Sequence, residues 1–242
     1  PRPPPTLVLV LVDLDGTLIP LDAWDPVFRD VSIYIAERAG VDWVVVYQAA
    51  KEMNRSLLRS FSIKAFNWDY IFTEVARKLG VTVSIDINEF LIRHVREFKP
   101  YDGAIDLLRV IRDLGYGVII ATNGLYRYQS IVIRELGFSR YVDGIRTPDL
   151  IGCPKNCCEF FRGGLVMVGD NPLFDVYYPS MCGLTTVFIG DWASRLGYVR
   201  DVWGLDLSGM RPTFSFRSIK ELLDGDRLIS ILKASSRPHA LA

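Results

Sequence analysis

The stretch VLVLVDLDGTL, residues 8–18, decides the fold class of this 242-residue chain. Its first five residues are all apolar, and most are β-branched, which is typical of a strand buried on both faces of a parallel sheet. Asp13 and Asp15 follow this run directly, separated by one residue, and Gly16 and Thr17 come next. A strand end needs a turn residue but not two like-charged carboxylates, so the pair indicates a functional site.

Three further apolar runs resemble the first one at residues 7–12. They lie at 117–121, 165–168 and 185–189, and helical patterns at 104–114 and 126–136 separate some of them. Alternating strands and helices predict an α/β fold, a doubly wound parallel sheet with a Rossmann-like core. We assign residues 7–19 and 100–234 to this core.

Residues 20–99 break the alternation. Helical spacing recurs four times, at 26–39, 42–60, 65–79 and 86–98, with no convincing strand in between. Four successive helices directly after the first strand predict a helical cap domain inserted into the core. Trp24, Trp43, Trp68 and Tyr70 belong to this segment, and large aromatic residues there favour the interior of the cap over a substrate-facing wall.

The composition narrows the class of partner. The formal net charge is zero, which gives no electrostatic reason to expect a nucleic acid or an anionic membrane. No apolar run approaches the roughly 20 residues of a membrane helix, and we expect a cytoplasmic protein, a monomer or a homodimer.

The cysteines argue against a zinc site. Cys153, Cys157, Cys158 and Cys182 form no C-x-x-C pair, and the chain has two histidines. We expect reduced or buried thiols, as in a reducing cytosol. A disulfide from Cys153 to Cys157 or Cys158 is the alternative.

Polar residues follow three of the predicted strands. Asp13 and Asp15 follow the first, Thr122-Asn123-Gly124 follows the second, and Asp170 follows the third, with Asp175 five positions later. Ligands of open parallel sheets bind beyond the carboxyl ends of the strands, so these residues should meet at one edge. Each also has a structural explanation when taken alone, as a strand-end cap, a turn or a helix start. Only their convergence indicates a site.

The chemistry of this edge follows from its charges. Asp13, Asp15 and Asp170 cannot all stay ionised in a crevice of low dielectric unless a cation neutralises them, and all-oxygen ligands favour Mg²⁺. Gly16 allows backbone amides to face the same space, which suits an anion such as phosphate. Thr122 Oγ1 and the amides of Asn123 and Gly124 could bind its oxygens. Lys155, the only lysine between positions 99 and 220, could complete the clamp.

These motifs resemble the haloacid dehalogenase superfamily of phosphohydrolases. The matches, in order, are VDLDGT at 12–17, ATNG at 121–124, the lysine at 155 and VGDNPLFD at 168–175, and the likeness extends over residues 7–224. The resemblance implies that Asp13 is a nucleophile that forms an aspartyl-phosphate, and that Asp15 is a general acid and base. It further implies a metal site at Asp13, the Asp15 backbone carbonyl and Asp170.

Further roles are implied position by position. Thr122 and Lys155 would bind the phosphate and stabilise its charge, and Asp175 would orient Lys155 or a metal-bound water. One departure is the short segment between Lys155 and the next strand; if it displaces the lysine, Arg146 or Arg162 could help to hold the phosphate. Asp15 separates this chain from true dehalogenases, which lack that second aspartate.

The sequence therefore predicts a Mg²⁺-dependent phosphatase that hydrolyses a small phosphorylated metabolite, in the style of phosphoglycolate phosphatases. Two alternatives stay open. A phosphomutase would use the same residues but keep water away from the intermediate. A non-catalytic module could keep the fold and bind a phosphorylated ligand or a partner protein.

Overall fold

A computed structural model of the chain describes residues 7–236. Its six strands are β1 (Leu9–Val12), β2 (Gly117–Ala121), β3 (Gly144–Arg146), β4 (Gly164–Gly169), β5 (Thr185–Ile189) and β6 (Phe214–Phe216). Its helices are α1 (Asp25–Ala39), α2 (Trp43–Arg59), α3 (Trp68–Lys78), α4 (Ile87–His94), α5 (Ala104–Asp113), α6 (Tyr126–Glu135), α7 (Pro148–Ile151), α8 (Tyr178–Met181), α9 (Trp192–Trp203), α10 (Ile219–Leu223) and α11 (Arg227–Ser235).

The strands form one parallel sheet in the order β3-β2-β1-β4-β5-β6. β1 lies between β2 and β4, with Val12 opposite Ile120 on one side and Val168 on the other. This order places the carboxyl ends of β1, β2 and β4 side by side. The predicted fold class, a doubly wound parallel sheet with helices on both faces, is confirmed.

Alternate residues of the central strands pack into different layers. Val10 and Val12 join the large cluster of buried side chains, whereas Leu11 joins a smaller cluster with Phe160 and Phe161 on the other face. Side chains two apart along a strand share a face, so the apolar runs of the sequence supply both layers. The central strands are therefore buried on both sides.

Helices α1 to α4 lie between β1 and α5, and we call residues 21–97 the helical insertion. Side-chain caps define several of its starts: Asp42, Asn67 and Asp86 each accept a backbone N–H from the first turn of α2, α3 and α4. Gly40 ends α1 in the left-handed conformation. The predicted cap helices are present close to their expected positions, while the domain boundaries at 20 and 99 remain a prediction.

The insertion contacts the sheet domain through two helices. On one side, Arg127 of α6 forms ion pairs with Asp69 at 2.6 Å and with Asp86 at 2.8 Å. On the other side, Arg59 Nε donates to the carbonyl oxygen of Val202 on α9 at 2.9 Å, beside a buried contact of Val202 with Leu58. These contacts hold the insertion over the carboxyl edge of the sheet. No helix within residues 7–236 has the length and apolar character that a membrane span requires.

Two short strands were not predicted from the sequence. β3 and β6 have three residues each and none of them is fully buried, so neither produces a long apolar run. Both lie at the edges of the sheet, where β3 pairs only with β2 and β6 only with β5. Their place in the sheet comes from tertiary pairing rather than from local pattern.

Candidate active site

A cavity of about 330 Å³ lies between the carboxyl edge of the sheet and the helical insertion. The structure brings all the predicted site residues to it: Asp13, Asp15, Thr122, Asn123, Gly124, Lys155, Asp170 and Asp175. They come from segments that are distant in the chain. Their convergence follows from the parallel sheet, whose carboxyl ends face the same way.

The turn after β1 brings two of the carboxylates together. Thr17 Oγ1 lies 3.1 Å from Asp13 Oδ2 and 3.3 Å from Asp170 Oδ1, so one hydroxyl bridges the ends of β1 and β4. Gly16 has φ +91°, and a Cβ atom there would overlap the Asp170 carboxylate. Glycine is therefore required at this position both by backbone conformation and by space.

Lys155 lies at the centre of the acidic residues. Its Nζ is 2.6 Å from Asp13 Oδ1 and 2.6 Å from Asp175 Oδ1, and all three side chains are buried. Burial acts to lower the pKa of Lys155, but the charges of Asp13 and Asp175 outweigh it and raise that pKa. The lysine is therefore held in its ammonium form.

Asp15 has different partners from Asp13. Its Oδ1 accepts the indole N–H of Trp24 at 2.7 Å, and its Oδ2 accepts from Gln129 Nε2 and from Thr122 Oγ1, the latter at 3.5 Å. Burial and the charge of Asp13 raise the pKa of Asp15 to about 6, although the bonds from Trp24 and Gln129 act in the opposite direction. The two neighbouring aspartates thus face one cavity in different environments.

The loop after β2 contacts Asp15 and the segment that carries Lys155. Thr122 Oγ1 accepts the backbone N–H of Gly124 at 3.1 Å and a hydrogen bond from Gln129 Nε2 at 3.3 Å. Asn123 Oδ1 accepts the backbone N–H of Lys155 at 2.9 Å. The Asn123 side chain therefore holds the loop of the lysine, and the Gly124 amide is already engaged by the threonine.

Asp13, Asp170 and Asp175 form the group with metal-ligand geometry. One carboxylate oxygen from each lies within 4.8 Å of the others, and all three residues are buried. Burial and the charge of Asp13 raise the pKa of Asp170, and burial also raises the pKa of Asp175. Such crowded carboxylates favour a nearby cation.

The charges at the acidic floor of the cavity fit a divalent ion. Four carboxylates there face two cations, Lys155 and Arg195, whose Nη2 lies 2.6 Å from Asp170 Oδ2, while the third cation of the lining, Lys51, lies on the helical insertion. The floor therefore has more carboxylates than cations, and its available donors are carboxylate and hydroxyl oxygens. Hard ions with oxygen ligands, Mg²⁺ among them, match both properties.

The alternative cations expected for the phosphate do not reach the cavity. Arg146 Nη1 donates to the carbonyl oxygen of Phe160 at 2.9 Å, and Arg162 pairs with Glu159 at the surface. Neither arginine lines the cavity. The short segment after Lys155 therefore does not displace the lysine from the acidic residues.

Several residues of the site were not predicted. Arg195 and Gln129 contact Asp170 and Asp15 directly, and both lie on helices whose amphipathic patterns give no sign of the contact. Gln129 is five residues past Gly124, close enough to the strand end to have been considered. Trp24 lies in the large buried cluster and Trp68 packs against it, as expected for the interior of the cap, and both also line the cavity. Their rings supply an apolar wall above the polar floor.

The expectation of reduced cysteines is also corrected. Disulfides join Cys153 to Cys157 and Cys158 to Cys182, with Cα–Cα distances of 6.5 and 5.3 Å. These distances lie within the normal range for a disulfide, and the spacing in sequence did not reveal the second pair. The expectation of free thiols was inferred from a reducing cytosol, and disulfides are instead typical of oxidising compartments.

A parallel sheet with an acidic, lysine-containing cavity at its carboxyl edge defines a Rossmann-like α/β protein with a candidate active site. The chain belongs to the haloacid dehalogenase-like hydrolases, since residues 7–176 match the description of that family. The family predicted from the motifs is thereby confirmed. No curated protein sequence matches the chain closely enough to count as a relative.

Solved structures share the fold at low sequence identity. A HAD phosphatase from Thermococcus onnurineus is 23% identical, with a TM-score of 0.68 over 90% of this chain and 99% of its own. A Bacillus subtilis protein assigned to the HAD-hydrolases and bound to magnesium is 18% identical, with a TM-score of 0.60 over 89% and 96%. The L-2-haloacid dehalogenase from Xanthobacter autotrophicus with covalently bound chloropropionic acid is 14% identical, with a TM-score of 0.58 over 93% and 99%. Both phosphatases and dehalogenases thus share this architecture.

Proposed function

We propose that the protein is a Mg²⁺-dependent phosphatase that hydrolyses a small phosphorylated metabolite through an aspartyl-phosphate intermediate. The observation that carries this proposal is the division between two neighbouring aspartates. Asp13 contacts Lys155 and lies in the carboxylate group with Asp170 and Asp175, whereas Asp15 contacts Trp24 and Gln129. A phosphatase of this kind needs one carboxylate to attack phosphorus and a second to transfer protons.

In the first step, a carboxylate oxygen of Asp13 attacks phosphorus and forms a phosphorus–oxygen bond. The bond from phosphorus to the ester oxygen breaks, and Asp15 donates a proton to that leaving oxygen. In the second step, Asp15 accepts a proton from a water molecule that attacks the phosphorus of the aspartyl-phosphate. The bond to Asp13 breaks, inorganic phosphate leaves, and both carboxylates return to their initial states.

The residues that would hold Mg²⁺ are Asp13, Asp170 and the backbone carbonyl of Asp15, with Asp175 near enough to contribute. When bound, the ion supplies positive charge that stabilises the phosphoryl oxygens. Magnesium is present in the Bacillus subtilis structure of the same fold, which supports this choice of ion.

Lys155, Thr122, Asn123 and Gly124 would bind the phosphoryl group. Lys155 Nζ is next to Asp13, so its charge would stabilise the nucleophile and the phosphoryl oxygens together. Asp175 accepts from the same Nζ and would hold it in that position. The Thr122 hydroxyl and the Asn123 amide would bind further phosphoryl oxygens, and the Gly124 amide would join them on leaving Thr122 Oγ1.

Residues 20–99 would act as a cap. The cavity lies between the helical insertion and the sheet, so movement of the insertion would widen or narrow the access of substrate and product to it. A cavity of about 330 Å³ between the insertion and the sheet favours a small metabolite over a phosphoprotein.

The decisive experiment measures phosphate release from a panel of esters with Mg²⁺ and with a chelator. We expect turnover only with the metal, and none with the Asp13→Asn variant, whose folding is checked by circular dichroism. Activity that persists in Asp13→Asn would exclude the covalent mechanism. A 2-haloacid in the same panel, monitored by halide release, tests for dehalogenation, and an isomerised sugar phosphate without free phosphate would indicate a phosphomutase. No metal-dependent activity on any ester would favour a binding module.

A further inference from the structure

Lys51 is a cation that lines the cavity, and the proposed reaction assigns it no role. It lies on α2, and among the lysines of residues 7–236 only Lys51 and Lys155 line the cavity. Lys155 belongs to the acidic floor, while Lys51 belongs to the helical insertion above it. The two lysines therefore occupy different walls of one small space.

The ammonium group of Lys51 lies among aromatic rings. Its Nζ is 5.2 Å from the ring centroids of Phe28 and Tyr47 and 5.8 Å from that of Trp68. Such rings attract a cation through their faces and at the same time remove water from it. Phe28 and Trp68 also line the cavity, so the ammonium group is held at the boundary between an apolar wall and the open space.

No carboxylate neutralises Lys51 in the part of the chain that the structure describes, since none lies within 4.0 Å of its Nζ. The negative charge of Asp25 acts on Lys51 from a greater distance, and the Asp25 carboxylate accepts a hydrogen bond from the Tyr47 hydroxyl. Burial lowers the pKa of Lys51, although Asp25 acts in the opposite direction. A partly desolvated ammonium group without a carboxylate in direct contact is stabilised when an anion enters beside it.

We propose that Lys51 is a specificity-determining residue that binds an anionic oxygen group on the leaving group of the phosphate ester. This inference rests on the proposed function, because it takes the phosphoryl group to lie at Asp13 and Lys155. The substrate class is then a phosphate monoester that carries a carboxylate or a second phosphate. Its short carbon chain would lie against the aromatic wall formed by Trp24, Phe28 and Trp68.

The test compares esters that differ only at the far end. Propyl phosphate is neutral there, 2-carboxyethyl phosphate replaces its methyl group with a carboxylate, and 1,3-propanediol bisphosphate carries a second phosphate. Each is assayed with Mg²⁺ on wild type and on Lys51→Met, which keeps the length of the side chain but removes its charge. Lys51→Arg restores a cation. Lys64→Met is the matched control, since Lys64 is an exposed lysine of the same insertion, 4.8 Å from the Tyr70 ring centroid and outside the cavity lining.

We expect wild type to prefer at least one anionic ester over propyl phosphate in kcat/KM. Lys51→Met should reduce that preference roughly tenfold or more, mainly through KM, since a hydrogen bond to a charged group is lost. Lys51→Arg should keep part of the preference, and Lys64→Met all of it. The anionic ester whose kcat/KM falls more in Lys51→Met shows whether Lys51 binds a carboxylate or a second phosphate.

The result that overturns the inference alone is hydrolysis of all three esters without preference, or an equal loss for all three in Lys51→Met. If wild type hydrolyses none of them, and no other ester of the panel, the proposed function fails and this inference with it. The propyl phosphate arm separates the two cases.

Discussion

Lys155 Nζ lies 2.6 Å from Asp13 Oδ1 and equally 2.6 Å from Asp175 Oδ1. One buried cation therefore holds a carboxylate from the end of β1 and another from the turn after β4. Its contacts with Asp13, the proposed nucleophile, and with Asp175 join two segments 162 residues apart in the chain, so Lys155 has a structural effect that can be separated from its proposed role in catalysis.

Replacing Lys155 with methionine should destabilise the fold in the absence of metal. The two carboxylates would then be buried without a cation, and loss of one partner from a buried ion pair costs about 3 kcal/mol or more. Urea unfolding with a chelator present measures the free energy. Lys220→Met is the control, because Lys220 pairs with Asp102 at the exposed surface and its loss should leave stability close to wild type. Equal stability of the two variants would contradict the structural role of Lys155.

Gly16→Ala should displace the Asp170 carboxylate in addition to straining the backbone at position 16. Gly16 and Gly40 both have positive φ, so alanine at either position introduces strain of about 1 kcal/mol. Only at Gly16 would the new methyl group displace a functional carboxylate, that of Asp170. We expect Gly16→Ala to lose roughly a hundredfold in kcat/KM, as for a misplaced catalytic group, while Gly40→Ala retains activity. Similar activities in the two variants would show that the position of Asp170 does not matter.

Trp24→Phe should lower kcat more than it changes KM. The substitution removes the indole N–H that holds Asp15 Oδ1 at 2.7 Å but keeps an aromatic ring in place. Loss of a hydrogen bond to a charged group predicts a decrease in kcat of roughly tenfold or more. Trp43→Phe is the matched control, since Trp43 does not line the cavity. An effect on KM alone would indicate that Trp24 contacts the substrate rather than positioning Asp15.

The two disulfides should contribute unequally to stability. Cys158–Cys182 closes a loop of 24 residues and Cys153–Cys157 one of 4, so the chain-entropy relation gives about 3.5 and 2 kcal/mol. Cys182→Ser should therefore unfold at lower denaturant than Cys157→Ser, and a reductant should bring wild type below both. Alkylation and mass spectrometry report the thiols directly. Four free thiols in the untreated protein would contradict both bonds.

Much of the sheet and the site was predictable because buried parallel strands leave long apolar runs. Asp13, Thr122 and Asp170 each follow such a run directly, so the position of the strand fixes the position of the side chain. Lys155 follows no strand, and it was identified by the scarcity of lysines between positions 99 and 220. β3 escaped prediction because a short edge strand needs no continuous apolar pattern.

The partners of the site residues could not be predicted for a different reason. Arg195 meets Asp170 only because α9 lies over the edge of the sheet, and its 25-residue separation from that aspartate carries no information about the angle of the helix. Cys158 and Cys182 likewise meet through the packing of the segment before β4 against α8. Pairings of this kind depend on three-dimensional distances, which local periodicity does not encode.

Helix α9 contacts both the acidic residues of the cavity and the helical insertion. Arg195, in its first turn, pairs with Asp170, and Val202, near its last turn, accepts the hydrogen bond from Arg59 of the insertion. In the proposed phosphatase, an outward movement of the insertion would either break the hydrogen bond between Arg59 and Val202 or displace the last turn of α9. Val202 and Arg195 are seven positions apart on this helix, about two turns, so a displacement of its end would also act on the ion pair with Asp170. In the proposed phosphatase, opening of the cap and weaker binding of the ion at Asp170 would therefore be coupled through one helix.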